Sequence, residues 1–90
     1  MEFEWDERKA RANVKKHGVS FHDAATVFGD PLAITFPDPD HSEEEERSVT
    51  FGMSQSQQLL VVAHTDRGAR RRIINARLMT RKEKVIYAEG

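Results

Sequence analysis

The stretch Arg67–Tyr87, RGARRRIINARLMTRKEKVIY, decides the predicted fold and most of the functional argument. It carries eight basic residues against one acid, Glu83, a formal charge of +7 in a chain whose total is −1. A solvated basic tail would not contain apolar residues such as Ile73 and Ile74, which require burial. We therefore predict a strand followed by a helix, with the basic side chains turned outward. These basic residues are Arg67, Arg70, Arg71, Arg72, Arg77, Arg81, Lys82 and Lys84.

Length and composition set the class of protein. Ninety residues predict one domain, residues 1–90, able to bury a small core of its own. The chain has no cysteine, which is typical of a reducing compartment. No apolar run approaches the ~18 residues of a membrane helix, and the start of the chain is charged. We expect a soluble, cytoplasmic protein that does not contact a membrane.

An acidic stretch nearly balances the basic one. Residues 37–46, PDPDHSEEEE, hold six acidic residues and no lysine or arginine. Two interpretations stay open: a solvated loop, or a segment that screens the arginines when no ligand is bound.

The first third of the chain predicts two helices. Asp6 is a good N-cap for a helix over residues 7–17, and Gly18 is a good C-terminal stop. Ser20 is predicted to cap a second helix, in which Phe21, Ala24, Ala25 and Phe28 share one apolar face. Only Gly18 to Ser20 separate the two, which indicates a helical hairpin.

Four strands and a last helix are predicted to follow. Alternating or continuous apolar residues predict strands over residues 32–36, 47–53, 59–65 and 71–78. Thr80 and Glu83 form a capping box for a helix that runs to about Ala88. The predicted fold is therefore α+β in the order α-α-β-β-β-β-α, a four-stranded antiparallel sheet with helices on one face.

Strict alternation along the fourth predicted strand sorts its side chains. Ile74, Ala76 and Leu78 should face the helices, with Arg72 at the strand's entrance. Arg71, Asn75 and Arg77 should then line the opposite, open face. Fixed guanidinium groups form two-point contacts with phosphate, so this face predicts an RNA-binding surface. The alternative is ordinary surface charge that pairs with the glutamate run.

Three further residues carry candidate proton chemistry. His64 ends the third predicted strand and is a candidate general acid or base, or else a half-buried histidine with a structural hydrogen bond. Glu83 and Tyr87 share one face of the last helix, where capping and packing are the simpler roles. The sequence shows no metal-ligand spacing and no phosphate-binding glycine loop, and we predict neither metal nor cofactor.

Nearly the whole chain resembles the BrnT toxins of bacterial type II toxin–antitoxin modules. The most specific pieces are Trp5-Asp6, Lys16-His17-Gly18-Val19-Ser20-Phe21, and RIINAR over residues 72–77 with Glu83. The resemblance implies a small RelE-like fold and a metal-free ribonuclease. It also implies a BrnA-type antitoxin that binds DNA through a ribbon-helix-helix, so that DNA is contacted only indirectly. The family pattern R-I-I-S-A-R differs here at Asn75, and two outcomes stay open: an altered cleavage efficiency, or a weak toxin.

Together these observations give one leading hypothesis and two alternatives. The leading hypothesis is an endoribonuclease that cleaves mRNA and arrests growth. In it Arg72 and Arg77 stabilise the phosphate, and His64 transfers protons with Glu83 or Tyr87. Predicted RNA contacts are Lys9, Arg47, Arg67, Arg70, Arg71, Asn75 and Arg81. The alternatives are a non-catalytic module that binds RNA or the antitoxin, and a structural protein that mates with an acidic partner.

Overall fold

The computed structural model describes residues 1–41 and 45–90. Over these ranges the chain forms five strands, three α-helices and two short 3₁₀ helices. The strands are β1 Glu2–Glu4, β2 Ile34–Pro37, β3 Ser48–Met53, β4 Leu59–Arg67 and β5 Arg70–Leu78. The α-helices are α1 Glu7–His17, α2 Phe21–Ala25 and α3 Arg81–Glu89. The 3₁₀ helices span Thr26–Gly29 and Pro39–His41.

The predicted helix ends are confirmed. Asp6 accepts hydrogen bonds from the backbone N–H of Arg8 and Lys9, and Gly18 closes α1 at a left-handed φ of 69°. Ser20 accepts from the N–H of Asp23 at the start of α2. The second helix is shorter than predicted, because the chain tightens into the 3₁₀ helix after Ala25.

The sheet has five strands in the order β1-β5-β4-β3-β2. Strands β2 to β5 are antiparallel, as predicted, but β1 adds a fifth strand parallel to β5. The sheet is therefore mixed, which corrects the four-stranded prediction. The added strand is fixed by Phe3, whose ring stacks on Phe28 at 5.4 Å, and by an ion pair between Glu4 and Arg72.

Both faces of the sheet carry helices, which corrects the prediction of helices on one face only. On one face, Ala10 of α1, the connecting residue Val19, and Phe21 and Ala24 of α2 pack against sheet residues that include Leu60 and Val62. On the other, Met79 and Tyr87 pack with Phe51 and Val61. These two groups of sheet residues alternate along β4, so α3 lies on the face opposite to α1. We call the α3 side the open face, because α3 covers only part of it.

A β-bulge in β5 reverses the alternation that the sequence predicts. Ala63 pairs with Asn75 and His64 pairs with Ile73, which leaves Ile74 as the extra residue. Ile73 and Ala76 are consequently both buried in the α1 and α2 core. Leu78 shares their face, as predicted, but is 52% exposed.

The same bulge exchanges the predicted faces of two arginines. Cross-strand partners share a face, and Arg72 pairs with Thr65 whereas Arg71 pairs with Asp66. Arg72 therefore joins Asn75 and Arg77 on the open face, and Arg71 lies on the α1 side, where its guanidinium stands 4.7 Å from the Phe28 ring.

Asn13 of α1 completes the hydrogen bonding of β5 beyond the end of β1. Its amide nitrogen donates to the carbonyls of Val19 and Ala76 at 2.9 and 2.8 Å. Its amide oxygen accepts from the N–H of Ala76 at 3.1 Å. The side chain is buried and in effect replaces a missing strand beside the bulge. It thereby sets how α1 sits against Asn75 and Arg77.

Candidate active site

Arg77 is held on the open face by Glu83. Two nitrogens of its guanidinium donate to the two carboxylate oxygens at 2.7 and 2.9 Å. Glu83 also accepts from the backbone N–H of Thr80 at 2.9 Å, in the predicted capping box. The hydrogen bonds from Arg77 lower the pKa of Glu83 to about 2, and Glu83 raises the pKa of Arg77. A carboxylate with so low a pKa is a weak base. Glu83 is therefore suited to orient Arg77 and not to take up a proton.

A pocket of about 190 Å³ lies on the open face beside Arg77. Its floor is apolar, made of Val49, Val61 and Ala63 from β3 and β4. Its walls are polar, made of Asp38, His41, Arg47, Asn75 and Arg77. We call it the open-face pocket. It combines two guanidinium groups, a histidine, an acid and an amide around one space.

A second depression, of about 430 Å³, runs between α1 and β5 and is called the edge groove. Asn75 and Arg77 line it together with two lysines and a histidine of α1. Its complete lining is Lys9, Ala12, Asn13, Lys16, His17, Ile74, Asn75 and Arg77. Because Asn75 and Arg77 line both depressions, they stand where the open-face pocket and the edge groove meet.

Four other arginines of the basic run lie beside acids. Arg71 lies 2.8 Å from Asp66 and Arg72 lies 3.0 Å from Glu4. Arg67 lies 3.2 Å from Glu45, and Arg70 lies 3.7 Å from Glu2.

These pairs divide the basic run into two parts. The four arginines between positions 67 and 72 form a largely compensated group, in which Arg67 pairs with the glutamate run and the other three pair with acids outside it. Arg67 reaches the acidic stretch, although Ser42, Glu43 and Glu44 of that stretch lie outside the described residues. Arg81 is exposed at the start of α3 and lines neither depression.

His64 is not brought together with Arg77. It lies on the α1 side of the sheet, 3% exposed, with its ring edge-on to Phe28 at 4.9 Å. Its Nε2 atom bonds to the Thr50 hydroxyl at 2.7 Å. Burial, with a smaller effect of Arg71, lowers the pKa of His64 to about 4. The sheet separates this ring from the open face and from Arg77, and the role of His64 in proton transfer stays a prediction.

Tyr87 is also placed where its contacts support the fold. Its hydroxyl donates to Asp30 at 2.6 Å, and its ring packs against the open-face cluster of Phe51 and Val61. The bond to Asp30 raises the pKa of Tyr87 to about 12. Tyr87 thus anchors the end of α3 to the loop before β2. It lies one helical turn beyond Glu83 and lines neither the open-face pocket nor the edge groove.

Comparison with known proteins identifies the family and the fold of the chain. A family model described as the ribonuclease toxin BrnT of type II toxin–antitoxin systems matches residues 5–83. The chain belongs to the BrnT family. It is also similar to the 1.1 Å crystal structure of the ribonuclease toxin BrnT of Brucella abortus, with a TM-score of 0.71 and 24% identity over 90% of this chain and 99% of that one. That likeness establishes a BrnT fold. None of the curated protein sequences matches the chain.

Within this BrnT fold, four residues at or beside Arg77 escaped prediction. These residues are His41, Lys16, His17 and Asn13, and none of them was among the predicted site residues. Asn13 stands three residues after Ala10 on the narrow buried stripe of α1, a spacing that indicated burial. His41 follows Asp38 by three residues next to a proline, which favours a local side-chain contact. The positions of His17 and Lys16 depend on how α1 docks, which no local pattern encodes.

No three side chains of the metal-binding types converge anywhere in residues 1–41 and 45–90. Over the same part of the chain, no helix has the length and apolar character needed to cross a bilayer.

Proposed function

We propose that this protein is an endoribonuclease toxin that cleaves mRNA without a metal ion and arrests growth in the cytoplasm. The observation that carries the proposal is the placement of Arg77. Its guanidinium is fixed by Glu83, is 39% exposed in its side chain, and stands where the open-face pocket meets the edge groove. An arginine in that position is preorganised to receive a phosphate.

Cleavage would follow the usual chemistry of RNA transesterification. The 2′-oxygen bonds to phosphorus while the bond between phosphorus and the 5′-oxygen breaks, giving a 2′,3′-cyclic phosphate and a 5′-hydroxyl. Negative charge accumulates on the non-bridging oxygens, where the exposed side of Arg77 and the neighbouring Arg47 lie within one pocket. Fixed cations in such a position stabilise the transition state by about 3 kcal/mol each. Arg72, predicted for the same role, shares the open face but is held at its edge by Glu4.

The edge groove suits the backbone of a single strand. Lys9 and Lys16 line it, and neither forms an ion pair with a carboxylate of the described residues. Positive charge without a local partner supports phosphate binding that depends on salt. Asn75, at the junction, is suited to hydrogen bonding with a ribose or base edge. Arg67, Arg70, Arg71 and Arg81 would serve mainly to attract RNA from a distance.

A BrnA-type antitoxin is the expected partner. Leu78, Val85 and Ile86 are large apolar residues that remain 52%, 49% and 38% exposed at the end of β5 and on α3. Arg81 and Lys82 are exposed in the first turn of the same helix. This combination favours a partner that presents apolar and acidic side chains, and such a partner would lie beside Arg77.

Cleavage of RNA by the purified protein in the presence of EDTA tests the proposal. We expect the wild type to yield fragments that end in 2′,3′-cyclic phosphate, and Arg77→Ala to lose at least a hundredfold in rate. His22→Ala, an exposed change on α2, is the matched control and should cleave normally. A wild-type protein that binds RNA tightly and leaves it intact would favour the binding-only alternative and overturn the proposal.

A further inference from the structure

The open-face pocket contains a histidine and an acid that the function proposed above does not yet use. His41 and Asp38 face each other across one turn of the 3₁₀ helix Pro39–His41. The Nδ1 atom of the His41 ring lies 3.0 Å from the Asp38 carboxylate. Both side chains line the pocket that Arg47, Asn75 and Arg77 also line.

The contact with Asp38 fixes the orientation of the His41 ring and the nitrogen that carries its proton. An ionised carboxylate only accepts hydrogen bonds, so the proton of this contact must sit on Nδ1 of the imidazole. The second ring nitrogen, Nε2, is then the atom that is free to take or give a proton, as in other carboxylate–histidine pairs. The side chain of His41 is 66% exposed, so a substrate can reach that nitrogen.

The surroundings of this pair match what RNA cleavage requires. Arg77 and Arg47 supply positive charge, and Val49, Val61 and Ala63 supply an apolar floor. The charged groups that line the pocket are Asp38, Arg47 and Arg77, with Glu83 behind Arg77. Imidazole is the side chain best suited to proton transfer near neutral pH.

We infer that His41, oriented by Asp38, is the proton-transfer group of this site, in place of His64. The inference rests on the proposed ribonuclease function. In the reaction the 2′-hydroxyl loses its proton as the new bond to phosphorus forms, and the departing 5′-oxygen gains one. The Nε2 atom of His41 either accepts the first proton or donates the second, and solvent water exchanges the other proton. Asp38 is a positioning residue that acts through His41.

The test uses the full-length protein and a short single-stranded RNA with one cleavable linkage. His41→Ala should lower the rate about 100- to 10,000-fold, the usual contribution of a positioned acid or base. Asp38→Asn should lower it less, because the ring remains but its orientation is no longer fixed. His22→Ala and the unaltered protein are controls, and thermal unfolding verifies that each variant is folded.

Two rescue experiments separate catalysis from a structural role. Added imidazole should restore part of the activity of His41→Ala if His41 transfers a proton. A substrate with sulfur in place of the 5′-oxygen has a leaving group that needs no proton. If His41 is the acid, His41→Ala should therefore cleave this substrate at nearly the wild-type rate. Restoration by either route supports the inference.

Two results would overturn the inference. One is a His41→Ala protein within threefold of wild type while Arg77→Ala is inactive. The other is a folded His41→Ala protein that neither route restores. A wild-type protein without any cleavage would instead refute the proposed function itself, which keeps the two failures distinct.

Discussion

The guanidinium of Arg77 and the carboxylate of Glu83 meet at two points, 2.7 and 2.9 Å apart, and the same carboxylate closes the first turn of α3. One acid therefore serves two elements, since it caps a helix and orients an arginine of the neighbouring strand. The arginine is placed by folded structure and not by a flexible loop, which is the arrangement that preorganised charge requires.

The depressed pKa of Glu83 predicts how stability changes with pH. The ordinary pKa of 4.5 falls to about 2 in the folded protein, so the pair stabilises the fold fully above about pH 4.5. That contribution is lost as pH falls toward 2, because the unfolded chain takes up the proton first. Glu83→Gln keeps a capping side chain but removes the titration. The melting temperature of the wild type should therefore fall more steeply between pH 5 and pH 2.5 than that of Glu83→Gln, whereas parallel curves would contradict the pairing.

Asn13 should be more important for stability than its place in a polar helix suggests. Asn13→Ala removes the partners of the Ala76 N–H and of two carbonyls in a buried position. Such losses cost roughly 2–4 kcal/mol in the free energy of unfolding. Urea denaturation measures the change, with Arg11→Ala on the exposed side of α1 as control. A loss for Asn13→Ala no larger than that of the control would show that the strand edge does not depend on this side chain.

Gly52 is required by the packing of β3 against the 3₁₀ helix Thr26–Gly29. A Cβ added at Gly52 would lie 2.6 Å from the Cγ1 atom of Val27, whereas one added at Gly29 would meet nothing within 4 Å. Gly52→Ala should lower the free energy of unfolding by about 1–3 kcal/mol, and Gly29→Ala should change it little. Equal effects in a denaturant titration of the two variants would contradict this packing.

Salt dependence should distinguish two adjacent lysines of α1. Lys16 lines the edge groove and Lys15 does not. If Lys16 contacts one phosphate, Lys16→Ala should reduce the slope of log affinity against log salt by about 0.7 for single-stranded RNA. Lys15→Ala should leave the slope unchanged. Fluorescence anisotropy between about 50 and 200 mM salt measures both. Identical slopes for the two variants would mean that the RNA does not follow the groove.

The sequence predicts the elements of this fold better than their faces. Helix caps at Asp6, Ser20 and Thr80 are local, and each was found where its residue type indicated. The bulge at Ile74 is not local, since it depends on how β5 pairs with β4. One extra residue there moved Arg71 and Arg72 to faces opposite to those predicted. The parallel pairing of β1 with β5 joins segments about seventy residues apart, and no pattern near Phe3 indicates it.

The same distinction between local features and strand register applies to the candidate site. Arg77, Asn75, Arg47 and Lys9 were predicted from residue type, and they line the two depressions. His64 was predicted from its place at the end of a strand, but the face that it occupies follows from register. His41, which we propose in place of His64, could be located only from the three-dimensional structure. It lines the same pocket as Arg77 although the two are thirty-six positions apart in the sequence.

The most direct test of the central claim is the single-turnover cleavage rate of Arg77→Lys in EDTA, measured beside that of the wild type. Lysine keeps the charge but not the planar fork that Glu83 orients and that matches phosphate. We predict a folded variant whose rate is at least a hundredfold lower, equivalent to about 2.7 kcal/mol of transition-state stabilisation. A folded Arg77→Lys protein that cleaves RNA at the wild-type rate would contradict the claim that this oriented guanidinium carries the reaction.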